Sequence, residues 1–402
     1  MWVRVARTEE TVQQHKQISN KTWAMAAVAM TSLSLMACKD STPEAPVETD
    51  GGASPAALSY DFAAVESNLF SGAWKTEGVV VQRDGKVVYE KYAAGFDPMK
   101  RHISYSVSKS IGSALVGVAV ADGLLKLEDS VCKYVPAPTG ADPTYCDTTI
   151  DHLVRMTSGL KWVETYDDPA TSNVLPMLYG DEADMGEYAA RRPRAAKAGE
   201  VWNYSSGDAN LLARALRGAL AGKDMRVWAK EKFFTPAGIS SAIFEADRSG
   251  TLVFSSSCFM TPRDMARFGQ LYLDDGMNGT TRVLPSAWVT YTSTPAPPVS
   301  QPKARVAGTA PGDSGGSYGA AFWLNAASPT AAPDTFLYPQ APADTYSAEG
   351  HWGQKIFIIP SRRLVVTRVG NDRAPIFDPG PMLGAAVAAV DAADAAAKGG
   401  AK

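Results

Sequence analysis

Between Thr76 and Ala94 the chain reads TEGVVVQRDGKVVYEKYAA, two apolar stretches on either side of Asp84-Gly85. An Asp-Gly pair between strand-forming runs predicts a β-hairpin, because both positions accept left-handed backbone. From Ser106 the pattern changes. SKSIGSALVGVAVADG puts apolar residues at helical spacing and stops at Gly123, so Ser106 stands at a helix start. GDANLLARALRGALAG and TPRDMARFGQLYLDDG predict two more helices, each with an Asp placed to cap or favour its N-terminal end. The last third returns to strands: Tyr318–Leu324, Gln354–Ile359 and Arg363–Val369, with a turn at Pro360-Ser361 between the latter two. Pro381 to Lys398 is Ala-rich and predicts a terminal helix able to cover one face of the sheet. Strands at both ends with helices between them predict an α+β fold: one antiparallel sheet flanked by terminal helices, plus a mostly helical insertion.

Upstream of this pattern, Lys21 to Cys38 reads KTWAMAAVAMTSLSLMAC, a basic start followed by an uncharged apolar stretch of signal-peptide length, too short and too rich in Ser and Thr for a stable membrane span. Leu35-Met36-Ala37-Cys38 resembles the lipobox of bacterial lipoproteins, and that resemblance makes Cys38 a lipidated anchor. The expected location is therefore the bacterial cell envelope, with the chain held to a membrane and facing the periplasm or exterior. KDSTPEAPVETDGGASPAA follows, polar and without either periodicity, as a tether. The resulting division is 1–38 extension and signal, 39–68 tether, 69–398 a single folded domain and 399–402 a tail. In an oxidising compartment Cys132 and Cys146, which bracket a Pro-rich loop, are the expected disulfide, and Cys258 is left as a buried thiol.

With 39 Lys and Arg against 42 Asp and Glu, the chain has no basic excess to gather nucleic acid. Of its four histidines, His15 precedes the signal, and His102, His152 and His351 form no metal-ligand spacing. No glycine group has a Walker or dinucleotide pattern, so neither metal nor cofactor is implied.

The strongest candidate chemistry is Ser106-Val107-Ser108-Lys109. Three positions apart on a helix, Ser and Lys share a face, so an amine can reach the hydroxyl that must lose a proton, and the helix N-terminus offers N–H groups to a developing oxyanion. Tyr204-Ser205-Ser206 and Gly350-His351-Trp352-Gly353-Gln354 follow in order. Together these elements resemble the serine β-lactamase and penicillin-recognising superfamily, on its class C, carboxypeptidase and esterase side. Tyr204-Ser205-Ser206 stands where that family usually has Tyr-x-Asn, and His351-Trp352-Gly353 stands where β-lactamases have Lys-Thr-Gly; the His-x-Gly form is commoner among its esterases and amide hydrolases. LVRMTSGLKW with Glu164 and Tyr166, and YGAAFWLN later, look most like 6-aminohexanoate-dimer hydrolases and related carboxylesterases.

The resemblance implies a β-lactamase/transpeptidase-like fold and hydrolysis of a small ester or amide substrate. Ser106 is then the acylated nucleophile and Lys109 with Tyr204 the proton-transfer pair. The backbone N–H groups of Ser106 and Gln354 would form the oxyanion hole, with Gln354 opening an edge strand and Gly353 keeping that edge clear. Ser206, His351, Trp162, Tyr166, Trp202 and Trp352 would support or line the substrate site. β-Lactamase or D-alanyl-D-alanine carboxypeptidase action, and a non-catalytic scaffold that holds peptidoglycan peptides, are the alternatives; intact Ser106, Lys109 and Tyr204 favour an enzyme.

Overall fold

The computed structural model describes residues 58–297, 317–325 and 336–399. The signal, Cys38 and most of the tether lie outside the described residues. The fold starts earlier than expected: α1 (Ala63–Phe70) packs on the terminal helix α5 (Gly380–Gly399). The segment 63–68 therefore belongs to the folded unit and not to the tether, because Val65 and Leu69 join the core under α5.

In chain order the other main elements are β1 (Thr76–Arg83), β2 (Lys86–Tyr92), α2 (Val107–Ala121), α3 (Ser206–Ala219), α4 (Pro262–Leu273), β3 (Ser317–Tyr318), β4 (Trp323–Leu324), β5 (Tyr346–Gly350), β6 (Gln354–Ile359) and β7 (Leu364–Gly370). The strands form one seven-stranded sheet in the order β2-β1-β7-β6-β5-β4-β3, antiparallel at each pairing. The Asp84-Gly85 hairpin forms as predicted, with φ of 49° and 76°.

Alternation along the strands divides the core. Val79, Val81, Phe357, Ile359, Leu364 and Val366 face α1 and α5, whereas Ile356, Ile358, Val365 and Val369 join the larger cluster that includes α2 and α4. Gly269 lets α4 lie directly on the sheet; a Cβ there would come 2.7 Å from Val365 and 2.8 Å from Ile356. Of the two expected roles, Asp208 and Asp264 take that of a first-turn acid and not that of the cap. Ser205 and Thr261 are the capping residues, accepting from the N–H groups of Asp208 and Asp264, while the two carboxylates turn to neighbouring segments. Asp208 takes Ser158, and Asp264 takes the backbone and hydroxyl of Ser241.

The stretch 318–324 also departs from expectation, folding as a tight hairpin rather than one strand. The hydroxyls of α2 catch its turn, Ser113 donating to the Ala320 carbonyl at 3.0 Å and Ser110 to the Ala321 carbonyl at 2.6 Å. β4 is consequently short and covers only Tyr346 and Ser347 of β5. Residues 348–350 are left as an uncovered sheet edge among the described residues.

That edge meets the central helix. Every residue of α2 from Val107 to Ala119 is buried, so this helix has no polar surface face; its Ser108, Ser110, Ser113 and Lys109 each find a partner inside. Cys132 and Cys146 are disulfide-bonded with Cα atoms 5.2 Å apart, and Cys258 is buried and free, as expected. Among the described residues no helix is long and apolar enough to cross a membrane.

Candidate active site

Ser106 stands immediately before α2, and Tyr105 before it has φ 46°, a left-handed conformation uncommon for a non-glycine residue. Aromatic packing holds that turn: the Tyr105 ring meets Trp352 edge-on at 5.0 Å and His351 at 6.2 Å. The amides of Val107, Ser108 and Lys109 are taken by the carbonyls of Ser104, Tyr105 and Ser106, whereas the Ser106 amide has no such partner among the described residues. It is the donor left over at the helix N-terminus.

Lys109 lies one turn into α2, 3% exposed, and its Nζ donates to Ser106 Oγ at 3.0 Å and to the Ser255 carbonyl at 2.8 Å. Ser255 is itself fixed by Asn210 of α3, whose Oδ1 accepts from the Ser255 amide at 3.0 Å and whose Nδ2 donates to its hydroxyl at 3.2 Å. Asn210 and Ser255 carry no sequence signal of their own, since they act through a contact between segments distant in the chain. Burial pushes the Lys109 amine down to about 8, against an opposing pull from the Glu164 charge.

Tyr204, just ahead of α3, is buried with its ring 4.9 Å below the Lys109 ammonium and stacked on Trp323 at 5.6 Å. Burial, then the Glu164 charge, holds its phenol well above the ordinary range, while a hydrogen bond with Ser106 acts in the opposite sense. The three residues expected to share proton transfer are thus brought together.

Ser206 is tied to a buried carboxylate. Its N–H donates to Glu164 Oε2 at 2.9 Å and its hydroxyl to Glu164 Oε1 at 2.5 Å. The same carboxylate, 8% exposed, accepts from Trp162 Nε1 at 2.5 Å and the Tyr166 hydroxyl at 3.0 Å. Both donors of Ser206 are therefore tied to a buried acid, which fits a supporting role in the site. Glu164 drew attention in the sequence only through a family likeness, although Trp-x-Glu-x-Tyr ahead of a Tyr-x-Ser is a visible set of donors around one acceptor.

Trp162 and Trp202 are core residues and not pocket walls; Trp162 packs flat against Gly207, and Trp202 against Tyr318 and Trp323. Tyr166, His351 and Trp352 are only part-buried and cluster, with His351 4.8 Å from the Tyr166 ring and 5.5 Å from Trp352. Burial and the Lys109 charge push the His351 imidazole below its usual value, with Glu164 and Asp167 acting the other way.

The expected place of Gln354 also needs correction. β6 lies between β7 and β5, so Gln354 opens an inner strand and not an edge. Its buried side-chain amide closes the turn, donating to the carbonyls of His351 at 3.1 Å and Gly370 at 2.6 Å. Gly353 is required for a different reason from an open edge: it has φ 88°, and a Cβ would come 2.1 Å from the Arg368 guanidinium, which donates to the Gly353 carbonyl at 2.9 Å. The backbone that approaches the turn before Ser106 is the uncovered end of β5, where a Cβ on Gly350 would come 2.2 Å from the Ser104 carbonyl.

A family model described as Beta-lactamase matches residues 67–390. The 6-aminohexanoate-dimer hydrolase of Paenarthrobacter ureafaciens is 27% identical over 235 residues, which are 53% of this chain and 56% of that protein, so the match spans about half the length of that relative. A penicillin-binding protein homologue from Caulobacter crescentus shares the fold at TM-score 0.61 and 18% identity, covering 82% of this chain and 97% of its own. A family VIII carboxylesterase does so at TM-score 0.62 and 16% identity, covering 81% and 95%. With four-fifths of its length matched by the family model, the chain belongs to the beta-lactamase family.

Proposed function

We propose that this protein is a serine hydrolase that cleaves a carboxylic ester or small amide through an acyl-enzyme on Ser106. The observation that carries the reading is the 3.0 Å contact between the buried Lys109 amine and Ser106 Oγ. A non-catalytic scaffold would have no use for a lysine whose charged form is disfavoured by burial.

The electrostatics of the site support a division of roles. Lys109, with its amine brought down to about 8, is the first base. Tyr204, held in its phenol form by burial and the Glu164 charge, is a proton donor and relay. As Ser106 Oγ bonds to the substrate carbonyl carbon, its proton passes to neutral Lys109. The resulting oxyanion is held by the Ser106 N–H and by backbone N–H at the Gly350–His351 end of β5. Collapse breaks the bond to the leaving oxygen or nitrogen, which takes a proton from the Lys109 ammonium through the Tyr204 hydroxyl. Water then attacks the acyl carbon and returns a proton along the same route as Ser106 departs, so one water is consumed and one carboxylic acid released. The cluster of Tyr105, Tyr166, His351 and Trp352 favours an apolar or planar group beside the scissile bond. Export and lipid attachment at Cys38 belong to the same proposal, supported by the Cys132–Cys146 disulfide, a bond that persists in oxidising compartments.

Ser106→Ala should lower kcat/KM for a p-nitrophenyl ester at least about 10³-fold with an unchanged melting curve. Tyr204→Phe should cost about 10²- to 10⁴-fold on an alkyl ester and less on the activated one, whose leaving group hardly needs an acid. Near-normal turnover by folded Ser106→Ala protein would exclude Ser106 as nucleophile. The pH profile carries a separate sign. Lys109 accepts a proton only when neutral, so kcat/KM should climb with pH through a midpoint near 8 and level above it; a profile flat across that range would remove Lys109 as the base. For the anchor, metabolic labelling with a palmitate analogue should mark the exported product, and Cys38→Ser should abolish the mark. An unlabelled, soluble wild-type product in the native host would contradict lipidation.

A further inference from the structure

The hydrolytic cycle above uses Ser106, Lys109 and Tyr204 but leaves unexplained why a carboxylate is buried beside them. Glu164 comes from a loop that runs past the head of α3, and each of its oxygens is claimed twice. Oε2 accepts from Trp162 Nε1 at 2.5 Å and the Ser206 amide at 2.9 Å; Oε1 accepts from the Ser206 hydroxyl at 2.5 Å and the Tyr166 hydroxyl at 3.0 Å. These donors carry no formal charge, so the carboxylate is satisfied geometrically while its charge has no hydrogen-bonded cation. Its field falls on the site.

Five titratable groups face that charge from the surrounding elements: Lys109 of α2, Tyr204 at the entry to α3, Tyr166 on its own loop, Tyr318 of β3 and His351 after β5. Two further carboxylates act on the same group, Asp167 through His351 and Glu349 through Tyr204 and Tyr318.

We propose that Glu164 is a positioning residue for hydrolysis: its buried carboxylate binds Trp162, Tyr166 and Ser206 into one wall and supplies the fixed negative charge against which Lys109 and Tyr204 exchange protons. The inference rests on the serine-hydrolase reading. Chemically, the charge does two things. It favours the ammonium that Lys109 becomes after taking the Ser106 proton, and it opposes formation of a phenolate at Tyr204, so the phenol stays protonated and able to donate. It also accounts for Ser206: an Asn there would bring an amide carbonyl as well as donors towards the carboxylate, whereas Ser offers a hydroxyl that can donate.

The test is the pH profile of kcat/KM for ester hydrolysis by Glu164→Gln, alongside wild type and Glu164→Asp. Gln keeps the volume and loses the charge. The rising limb set by Lys109 should move to lower pH by about one unit, because the neutral amine is no longer opposed by a nearby carboxylate. Asp, which keeps the charge, should return the limb towards the wild-type position even where the rate stays reduced. A residue that merely held the wall together would lower the rate in both variants and leave the limb in place, and that result overturns the proposal. Should Glu164→Gln fail to fold, Ser206→Ala decides. Removing one donor withdraws support from the charged carboxylate, so the limb should move downward as in Glu164→Gln; an unmoved or raised limb again overturns the proposal. Failure of the underlying reading looks different, since wild-type protein would then show neither ester turnover nor a rising limb.

Discussion

An ammonium sealed inside a protein loses its hydration, and near the N-terminus of a helix it also meets the positive end of the helix dipole. Lys109 is held in that position, 3% exposed and one turn into a helix buried from Val107 to Ala119. Burial holds the amine down at about 8, below the usual lysine range, with the Glu164 charge pulling the other way. In the proposed mechanism a neutral amine 3.0 Å from a serine hydroxyl is placed to act as a base, and that role depends on the contacts that keep it there.

The fold maintains it from several sides. The Ser255 carbonyl, fixed by Asn210 of α3, gives the amine its second hydrogen bond. Serines on α2 catch the turn between β3 and β4, which keeps β4 short and leaves the end of β5 open beside Ser104. Behind that end, Gln354 and Arg368 hold the His351–Gly353 turn by side-chain hydrogen bonds to its carbonyls. Rigid sheet on one side and buried helix on the other set the distance between nucleophile and open backbone, the geometry on which oxyanion stabilisation depends.

Much of this was legible in the sequence where a local rule was strong. The Asp84-Gly85 hairpin, the helices after Ser106 and at the C-terminus, and strands β6 and β7 follow from turn chemistry and periodicity. Ser106, Lys109 and Tyr204 were legible as an ordered set of motifs, and the fold brings them side by side. Misreadings arose where a distant segment decided the outcome. YGAAFWL reads as a strand until the α2 hydroxyls bend it, and Gln354 reads as an edge residue until β5, a short run with weak alternation, pairs alongside. For Ser206 the sequence left the choice between supporting and lining the site open, because its partner Glu164, which takes both its donors, lies forty-two residues earlier. The caps show the same effect on a smaller scale, with Asp208 and Asp264 drawn to Ser158 and Ser241 across the fold while Ser205 and Thr261 do the capping.

The central claim is that Ser106 Oγ is a nucleophile activated by a neutral lysine. It is tested most directly by treating the folded protein with a fluorophosphonate at pH 8.5, digesting it and locating the adduct by mass spectrometry. The account predicts one phosphonyl group on the peptide containing Ser106, with labelling that disappears in Lys109→Ala protein of unchanged melting temperature. An unlabelled Ser106 in wild-type protein, or labelling that proceeds equally well without Lys109, would contradict it.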